Sequence, residues 1–485
     1  MEQLLQESGD NSVVSLYKEL KANRILLDKL YGQPVADRKL STDSLEILTN
    51  KQEQQLIKKS KAYGDYTYNM SITWRDVQKG LDKDEIAIEF KHFDIEQLKD
   101  IQYVAFILKK EYTSPKMITL FTQKELDAIE TKEIYNTTTL CKKLWGAIAT
   151  ELQGVKNIYF APTGSLHSIA IETLPIDTLY INEKYNIYRL SSTRELALIK
   201  EKNQIKNIAL YGGLIYDANA SLIEQENKKY KGKLKVSEQT IDTLMIRGGA
   251  SYLPATLNEV DTINKLFKEI NNISTSYYTG ITGTEESFKF LGGKEINLLH
   301  IATHGFYWDE NKTHWMKDKS FLNNISDNAG KEERALVRSG LLFSGANHAL
   351  SGNPIKGGID DGVLTAKELA NIDFRKLNLA VLSACQSGLG DVTGEGVFGM
   401  QRGFKKAGAR TLLMSLWKVD DKATAILMRE FYHNLIIGKS KYEALRNAQK
   451  YLRNYQEVNE DMSNKKTKKY SSPYYWAAFV LLDAI

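Results

Sequence analysis

The chain has 485 residues, 42% of them hydrophobic, and this length predicts about three domains at roughly 150 residues each. Its formal charge of +5, against 65 basic and 60 acidic residues, gives no reason to expect a nucleic acid or a membrane as partner. Two distant cysteines and the lack of an apolar stretch of about 18 residues exclude a disulfide framework, a cysteine zinc site and a membrane helix, so we expect a soluble cytoplasmic protein.

The first predicted elements are two helices within residues 1–84. Leucines recur three and four positions apart in LYKELKANRILLDKLYG and in SLEILTNKQEQQLIKKSKAY, which is the spacing of one apolar helix face. We therefore expect an antiparallel helical pair. Because so small a pair buries little apolar surface, its apolar stripe is expected to pack on a neighbouring repeat or on the domain that follows.

Residues 85–202 predict an α/β unit. Strand-forming residues are concentrated in DEIAIEFKHF, YVAFILKKEY and KMITLF. A helical segment is predicted from about Glu125 to Leu152, and VKNIYFAP has the composition of a buried strand.

Residues 203–485 predict a larger domain in which strands alternate with helices. The strands are expected at IALYGGLIY, TSYYTG, INLLHIAT, SGLLFSG, LNLAVLSAC, ARTLLMSLW and YWAAFVLL. Most of these runs are continuously apolar, which indicates a mostly parallel sheet with helices on both faces. Two polar insertions, from about Asp217 to Ser251 and from about Trp308 to Arg338, are long for connections within a domain and indicate functional loops, cleavage sites or disorder.

Two of these strands end in residues with catalytic chemistry. In an open parallel sheet ligands bind beyond the carboxyl ends of the strands, and there INLLHIATHG ends in His304 and Gly305 while LNLAVLSACQSGLG leads to Cys385. A cysteine thiolate is a strong nucleophile, and histidine is a suitable base near neutral pH. The pair predicts an acyl-transfer dyad, with the backbone N–H groups of Gly305 and Cys385 as donors to the oxyanion.

Either residue alone is more often structural, because free cysteines and strand histidines are common core residues. His300 lies in the middle of its strand and is expected to be such a core residue. Other catalytic motifs are missing: a cysteine phosphatase loop is excluded by Asp391, and there is no G-x-S-x-G, HExxH, Walker loop or CxxC. GLGDVTGEGVFGM is interpreted as a mobile substrate-binding loop. We predict no metal and no cofactor.

Several motifs together resemble the CHAT family of caspase-like peptidases. They are HIATHG, LSACQSG with the following GEGVFGMQRGFKKAGA, LLMSLWKVDD and PYYWAAFVLL, preceded by NIYFAPTGSLHSIAIETLP and YLPATLNEV, in family order over about residues 85–485. The resemblance implies a three-layer α/β/α caspase-like fold related to separase, with the dyad on His304 and Cys385. It also implies that residues 85–202 form a catalytically dead pseudo-protease half and that 203–485 form the active half. Many relatives carry tetratricopeptide repeats, and residues 1–84 look like the tail of such an array.

The function implied is a cysteine endopeptidase of regulated activity that cleaves specific proteins after a basic residue. A basic side chain would need an acidic partner in its pocket, and the candidates are Asp420, Asp421, Asp391, Glu395 and Asp217. The expected partners are a protein or peptide substrate and an activating or inhibitory protein. Bacterial relatives of this kind act in defence or cell death.

Two alternatives stay open at this point. One is an interaction scaffold that keeps the fold without turnover, although both dyad residues and their glycines are present. The other is a different cysteine acyl-transfer enzyme, such as a transpeptidase or amidase, which uses the same dyad.

Overall fold

The computed structural model describes residues 5, 10–31, 41–60, 69, 71–198, 205–230, 249–270, 272–307, 336, 338–352, 355, 360–383, 390–393, 396–458 and 466–485. Cys385 and Glu395 lie outside these residues, as does most of both predicted insertions. The chain divides into two compact units, Met1–Gly80 with Leu196–Ile199, and Leu81–Glu195 with Lys200–Ile485.

The smaller unit contains the two helices that the leucine spacing predicts. They are α1 (Asn11–Tyr31) and α2 (Thr42–Lys59), followed by the short α3 (Trp74–Lys79). α2 begins after Ser41, whose side chain accepts a hydrogen bond from the backbone N–H of Ser44 and so caps the first turn. Val13, Leu20 and Leu56 are buried in the apolar core of this unit.

The strands of the larger unit are numbered in chain order. They are β1 (Glu85–Ile95), β2 (Asp100–Lys109), β3 (Lys116–Thr122), β4 (Asn157–Ala161), β5 (Pro175–Ile176), β6 (Leu179–Tyr180), β7 (Asn186–Arg189), β8 (Asn207–Leu214), β9 (Ser274–Gly280), β10 (Leu298–Ile301), β11 (Gly305–Tyr307), β12 (Ser339–Leu342), β13 (Val363–Thr365), β14 (Leu379–Leu382), β15 (Gly390–Thr393), β16 (Gly396–Gly399), β17 (Thr411–Ser415), β18 (Gln456–Val458), β19 (Lys466–Lys468) and β20 (Phe479–Leu482).

The helices of the larger unit lie between these strands. They are α4 (Gln123–Asp127), α5 (Thr139–Leu144), α6 (Ile181–Lys184), α7 (Ala220–Asn227), α8 (Pro254–Lys268), α9 (Glu285–Lys289), α10 (Ala346–Leu350), α11 (Ala366–Leu369), α12 (Met400–Ala407), α13 (Asp421–Ile436), α14 (Lys441–Asn454) and α15 (Pro473–Trp476).

Within the described residues, eleven of the strands form one sheet in the order β3-β2-β1-β4-β7-β20-β17-β14-β10-β8-β9. Neighbouring strands are parallel except for β1–β2, β2–β3 and β17–β20. The strands of the first half, β1 to β7, and those of the second half, β8 to β20, meet where β7 pairs with β20. The two halves therefore share one continuous sheet.

Apolar cores lie on both faces of this sheet in the second half. In β10 the side chains alternate, so that Leu298 belongs to one core and Leu299 and Ile301 to the other. Helices α8, α13 and α14 cover the first of these cores, while α9, α11 and α12 cover the second. The predicted α/β class, with a mostly parallel sheet between two helical layers, is confirmed.

One predicted strand lies elsewhere. The run SGLLFSG contains β12, which belongs to a small antiparallel sheet, β11-β12-β13, instead of the large sheet. β11 begins four residues after the end of β10 and pairs with β12. An apolar composition predicts a buried strand but does not specify which sheet the strand joins.

Candidate active site

The strands that lead to His304 and Cys385 are neighbours in the large sheet. β10 and β14 pair in parallel, with Ile301 opposite Leu382. The pairing continues one residue further, where the Ser383 N–H donates to the Ile301 carbonyl at 2.9 Å. Because β10 and β14 run in the same direction and in register, the segments that follow them leave the sheet at the same edge. Cys385 follows Ser383 by two residues and lies outside the described residues.

The imidazole of His304 is half-buried and held by a backbone carbonyl. Its Nε2 lies 2.8 Å from the carbonyl oxygen of Ser251. A carbonyl only accepts hydrogen bonds, so the proton of this contact belongs to Nε2. In the neutral ring the lone pair is then on Nδ1. Nδ1 is therefore the nitrogen with the chemistry of a base.

Tyr216 supports the same histidine from the neighbouring strand exit. Its ring centroid lies 5.1 Å from that of His304. Its hydroxyl accepts from the His304 backbone N–H at 3.4 Å and bonds the Thr303 hydroxyl at 2.8 Å, while the Thr303 hydroxyl donates to the Leu342 carbonyl at 2.6 Å. Burial raises the pKa of the Tyr216 phenol, which stays a neutral hydrogen-bonding group at physiological pH.

Gly305 begins β11 with its backbone N–H directed away from β12. The His304 carbonyl accepts from the Leu342 N–H at 3.0 Å, so His304 and Leu342 form a hydrogen-bonded pair of the antiparallel ladder. Such pairs alternate with non-bonded ones, and the next pair is Gly305 with Leu341. The Gly305 N–H is thus not used by this ladder, as an oxyanion donor requires.

His300 is buried in the core of the sheet. Its Nδ1 lies 2.9 Å from the Tyr432 hydroxyl and its Nε2 lies 3.0 Å from a Glu259 oxygen, and the residue is 0% exposed. These contacts tie β10 to α8 and α13. They agree with a structural role for a histidine in mid-strand.

The glycine-rich segment after Cys385 contains a hairpin. The sequence predicts a mobile substrate-binding loop at GLGDVTGEGVFGM, and within its described residues the backbone forms β15 and β16, paired antiparallel. Both strands contact the turn Gly164–Ser168 of the first half. That turn contains His167, whose pKa is lowered to about 3 by burial and by the charge of Arg189. A part of the first half therefore lies beside the chain that follows the predicted nucleophile.

The predicted pocket acids lie on different elements. Asp217 is exposed and directly follows Tyr216. Asp420 precedes α13 and accepts a hydrogen bond from the Ala423 N–H at 2.9 Å, so it caps this helix, while Asp421 is exposed in the first turn. Asp391 lies in β15 opposite Phe398. Glu395 lies outside the described residues.

A buried group of charges supports the small sheet that carries Gly305. The Lys289 ammonium lies 2.7 Å from Glu285, 2.8 Å from Asp360 and 3.1 Å from Glu368. Three carboxylates this close could hold a metal ion, and here an ammonium lies among them. Glu285 also accepts from the Gly362 N–H at 2.9 Å, which fixes the chain just before β13.

Two further acids beside this group make the stability of the fold pH-dependent. Burial and nearby carboxylates raise the pKa of Glu286 and that of Asp361 to about 7 each. Raised carboxyl pKa values mean that the folded state holds protons that the unfolded state releases. The contribution of Glu286 and Asp361 to the free energy of unfolding should therefore fall as the pH rises from about 4 to about 7.

Glu286→Gln tests this dependence. Glutamine keeps an acceptor for the Asp360 N–H, which lies 2.9 Å from the Glu286 carboxylate, and removes the buried charge. We expect the variant to raise Tm at pH 8 and to raise it less at pH 5, since about 1 kcal/mol moves Tm by roughly 2–4 °C in domains of 150–250 residues and by less in larger ones. Thermal melts at both pH values measure it, with the exposed Glu269→Gln as control. An equal change at the two pH values would contradict the prediction.

Two residues that contact His304 were not predicted from the sequence. Tyr216 ends the predicted strand IALYGGLIY, so the rule that marked His304 at a strand exit also applied to it. Ser251 contributes a backbone carbonyl, which any residue type provides. Its sequence therefore carried no signal of the contact.

The chain is similar to a known protein family and to several known proteins. The model of the CHAT domain family matches residues 136–484. Tetratricopeptide repeat protein 28 of Mus musculus and that of Homo sapiens are each 31% identical over 122 residues, which is 25% of this chain and 4% of the relative. Two structures of the Saccharomyces cerevisiae separase–securin complex align over 96% of this chain and 27% of theirs, at 12% identity and TM-scores of 0.33 and 0.35. The chain thus spans a small part of these relatives. No helix in the described part of the chain is long and apolar enough to cross a membrane.

Proposed function

The chain belongs to the CHAT domain family, and from this premise we propose that it is a cysteine endopeptidase of regulated activity that cleaves specific protein substrates. Cys385 is the nucleophile and His304 is the acid and base. The Gly305 N–H, with that of Cys385, binds the oxyanion. The family match supports this proposal, and the geometry around His304 supports it independently.

One observation carries the proposal. β10 and β14 are adjacent, parallel and in register, so the chain segments that bear His304 and Cys385 leave the sheet at one edge. A base and a nucleophile delivered to the same edge are what acyl transfer needs. The Ser251 carbonyl at Nε2 adds the required protonation pattern, with the basic lone pair on Nδ1.

The reaction follows from these roles. Nδ1 of His304 takes the proton from the Cys385 thiol, and the thiolate attacks the carbonyl carbon of the scissile peptide bond. The electron pair of the C=O bond moves to oxygen, where the Gly305 N–H stabilises the negative charge. The oxyanion then collapses, the C–N bond breaks, and the imidazolium gives its proton to the leaving amine. Water, deprotonated by His304, hydrolyses the thioester and restores the thiol.

Active-site labelling and substrate profiling test this function. A peptidyl acyloxymethyl ketone should label Cys385, and the protein should cleave selected members of a peptide library. Cys141 should remain unlabelled at neutral pH, because it is buried and burial raises the pKa of its thiol to about 11. Labelling without cleavage, together with transfer of acyl groups to added amines, would instead favour a transferase. Neither labelling nor cleavage would favour a scaffold.

We further propose that cleavage follows a basic residue and that Asp217 is the first pocket acid to test. It directly follows Tyr216, which contacts His304, and its carboxylate is exposed. An exposed carboxylate one residue after Tyr216 suits an arginine or lysine side chain of a substrate.

Asp217→Asn should lower kcat/KM for substrates with arginine before the scissile bond by roughly tenfold or more, and much less for substrates with leucine there, since tenfold corresponds to about 1.4 kcal/mol. Kinetics on a matched pair of peptides measure the ratio. Asp420→Asn and Asp421→Asn are measured in parallel. The acid that lies in the pocket is the one whose removal lowers kcat/KM selectively for the arginine peptide. Equal losses for both peptides in all three variants would remove these acids from the pocket.

A further inference from the structure

The segment that contains Ser251 is held by hydrogen bonds from the side chain of Asn347. Oδ1 of Asn347 accepts from the Ala250 N–H at 2.7 Å, and Nδ2 of Asn347 donates to the Ala250 carbonyl at 3.0 Å. One side-chain amide thus binds both polar groups of one backbone residue. The backbone N–H of Asn347 donates to the Tyr216 carbonyl at 2.9 Å. Asn347 therefore bonds both chain segments whose residues contact His304.

This two-point contact fixes the direction of the next carbonyl along the chain. Hydrogen bonds are directional, so two of them to Ala250 restrict both the position and the rotation of its backbone. The Ser251 carbonyl follows one residue later and meets Nε2 of His304 at 2.8 Å. Gly249, on the other side, has φ +62°, and a Cβ there would lie 3.2 Å from Oδ1 of Asn347. The chain approaches the asparagine closely along this stretch.

We propose that Asn347 is a positioning residue for His304. It holds Ala250 so that the Ser251 carbonyl faces Nε2, which keeps the proton on Nε2 and the lone pair on Nδ1. The proposal deepens the peptidase function and rests on it for its catalytic meaning. The arrangement of the side chains can be tested without any turnover.

The physical reason is the near equality of the two neutral imidazole tautomers. Which ring nitrogen carries the proton is set by the hydrogen bond that the other nitrogen or its proton makes. Without a fixed carbonyl at Nε2 the proton also populates Nδ1, and the ring can turn. A histidine protonated at Nδ1 while neutral cannot take the thiol proton at that atom. The loss should therefore appear in the chemical step more than in substrate binding.

Asn347→Ala removes the side-chain amide. Ala250→Pro removes the backbone N–H that donates to Oδ1 of Asn347. Asn371→Ala is the matched control, because Asn371 also donates its Nδ2 to a backbone carbonyl, that of Lys367 at 3.2 Å. Three experiments are carried out on each variant, and the first gives two constants. The experiments measure kcat and KM on a cleaved library peptide, the pH profile of Cys385 alkylation by iodoacetamide, and the tautomer of His304 from ¹⁵N-imidazole NMR, assigned with His304→Ala.

We expect kcat to fall by roughly 10- to 100-fold in Asn347→Ala with KM little changed, as a small misplacement of a catalytic group produces. The alkylation profile should move towards that of an unassisted thiol, and the Nε2–H tautomer should lose population. Ala250→Pro should change the three readouts in the same direction, and the double variant should be no worse than Asn347→Ala alone, because the asparagine change already removes both hydrogen bonds to Ala250. Asn371→Ala should change none of them.

An unchanged tautomer and an unchanged alkylation profile in Asn347→Ala would overturn the proposal, even if Tm fell. If Asn347→Ala fails to fold, the same two measurements on Ala250→Pro decide in the same way. If the wild type cleaves no peptide while both readouts still shift in Asn347→Ala, the peptidase function fails and the positioning of His304 by Asn347 stands.

Discussion

Cys385→Ala is expected to lower kcat/KM by roughly 10⁴-fold or more while leaving the fold intact. The sulfur is the only atom proposed to bond covalently to the substrate, and removing a nucleophile from a group of catalytic residues that act together removes most of their joint effect. Peptide-cleavage kinetics measure the loss, and circular dichroism with thermal melting measures the fold.

The matched control is Cys141→Ala, which removes the other cysteine of the sequence. Cys141 is buried in α5 of the first half, so its truncation should lower Tm and leave kcat/KM nearly unchanged. Wild-type turnover in Cys385→Ala would require a different nucleophile and would end the assignment of the dyad.

His304→Ala is expected to lower kcat by a similarly large factor, roughly 10³- to 10⁵-fold, because the thiol loses its base and the leaving amine loses its acid. A second readout follows from the same role. Without the imidazole, alkylation of Cys385 should follow an ordinary thiol, with a midpoint of about pH 8.5. Iodoacetamide labelling between pH 5 and 10 in the wild type and the variant makes the comparison.

The control for this variant is His433→Ala, an exposed histidine near the end of α13. It should leave both the turnover and the alkylation profile as in the wild type. If His304→Ala kept the wild-type alkylation profile while cleavage was lost, His304 would serve only as the acid for the leaving group. If cleavage persisted, another base would have to act on Cys385.

Strands were easier to predict than helices in the first half of the chain. β1, β2 and β3 lie at the predicted runs because β-branched and aromatic residues are concentrated there. The helical segment expected from Glu125 to Leu152 is broken into α4, α5 and short 3₁₀ turns. Asn136 and Thr137 lie in the break, and their side chains donate to the carbonyls of Lys132 and Glu133. Such local bonds compete with a continuous helix.

In the candidate site, side chains could be predicted from the sequence, whereas contacts made by backbone groups could not. His304 was proposed from its place at a strand exit, and β10 and β14 are adjacent, as that proposal requires. The contact of His304 with the Ser251 carbonyl joins residues 53 positions apart. The hydrogen bond of Asn347 with Ala250 joins residues 97 positions apart. No periodicity or motif encodes such long-range backbone contacts. The partners of His304 therefore required the fold.

The shared sheet has a consequence for how the two halves can exist apart. Leu482 of β20 pairs with Arg189 of β7, the Asp483 N–H donates to the Arg189 carbonyl at 3.0 Å, and the Asp483 carboxylate accepts from the Ser191 N–H at 2.7 Å. Removal of the first half would leave β20 at an exposed edge of the sheet. Exposed strand edges pair with other chains and promote aggregation. The first half thus covers the β20 edge of the second half, and a chain split between β7 and β8 is expected to yield an aggregation-prone fragment.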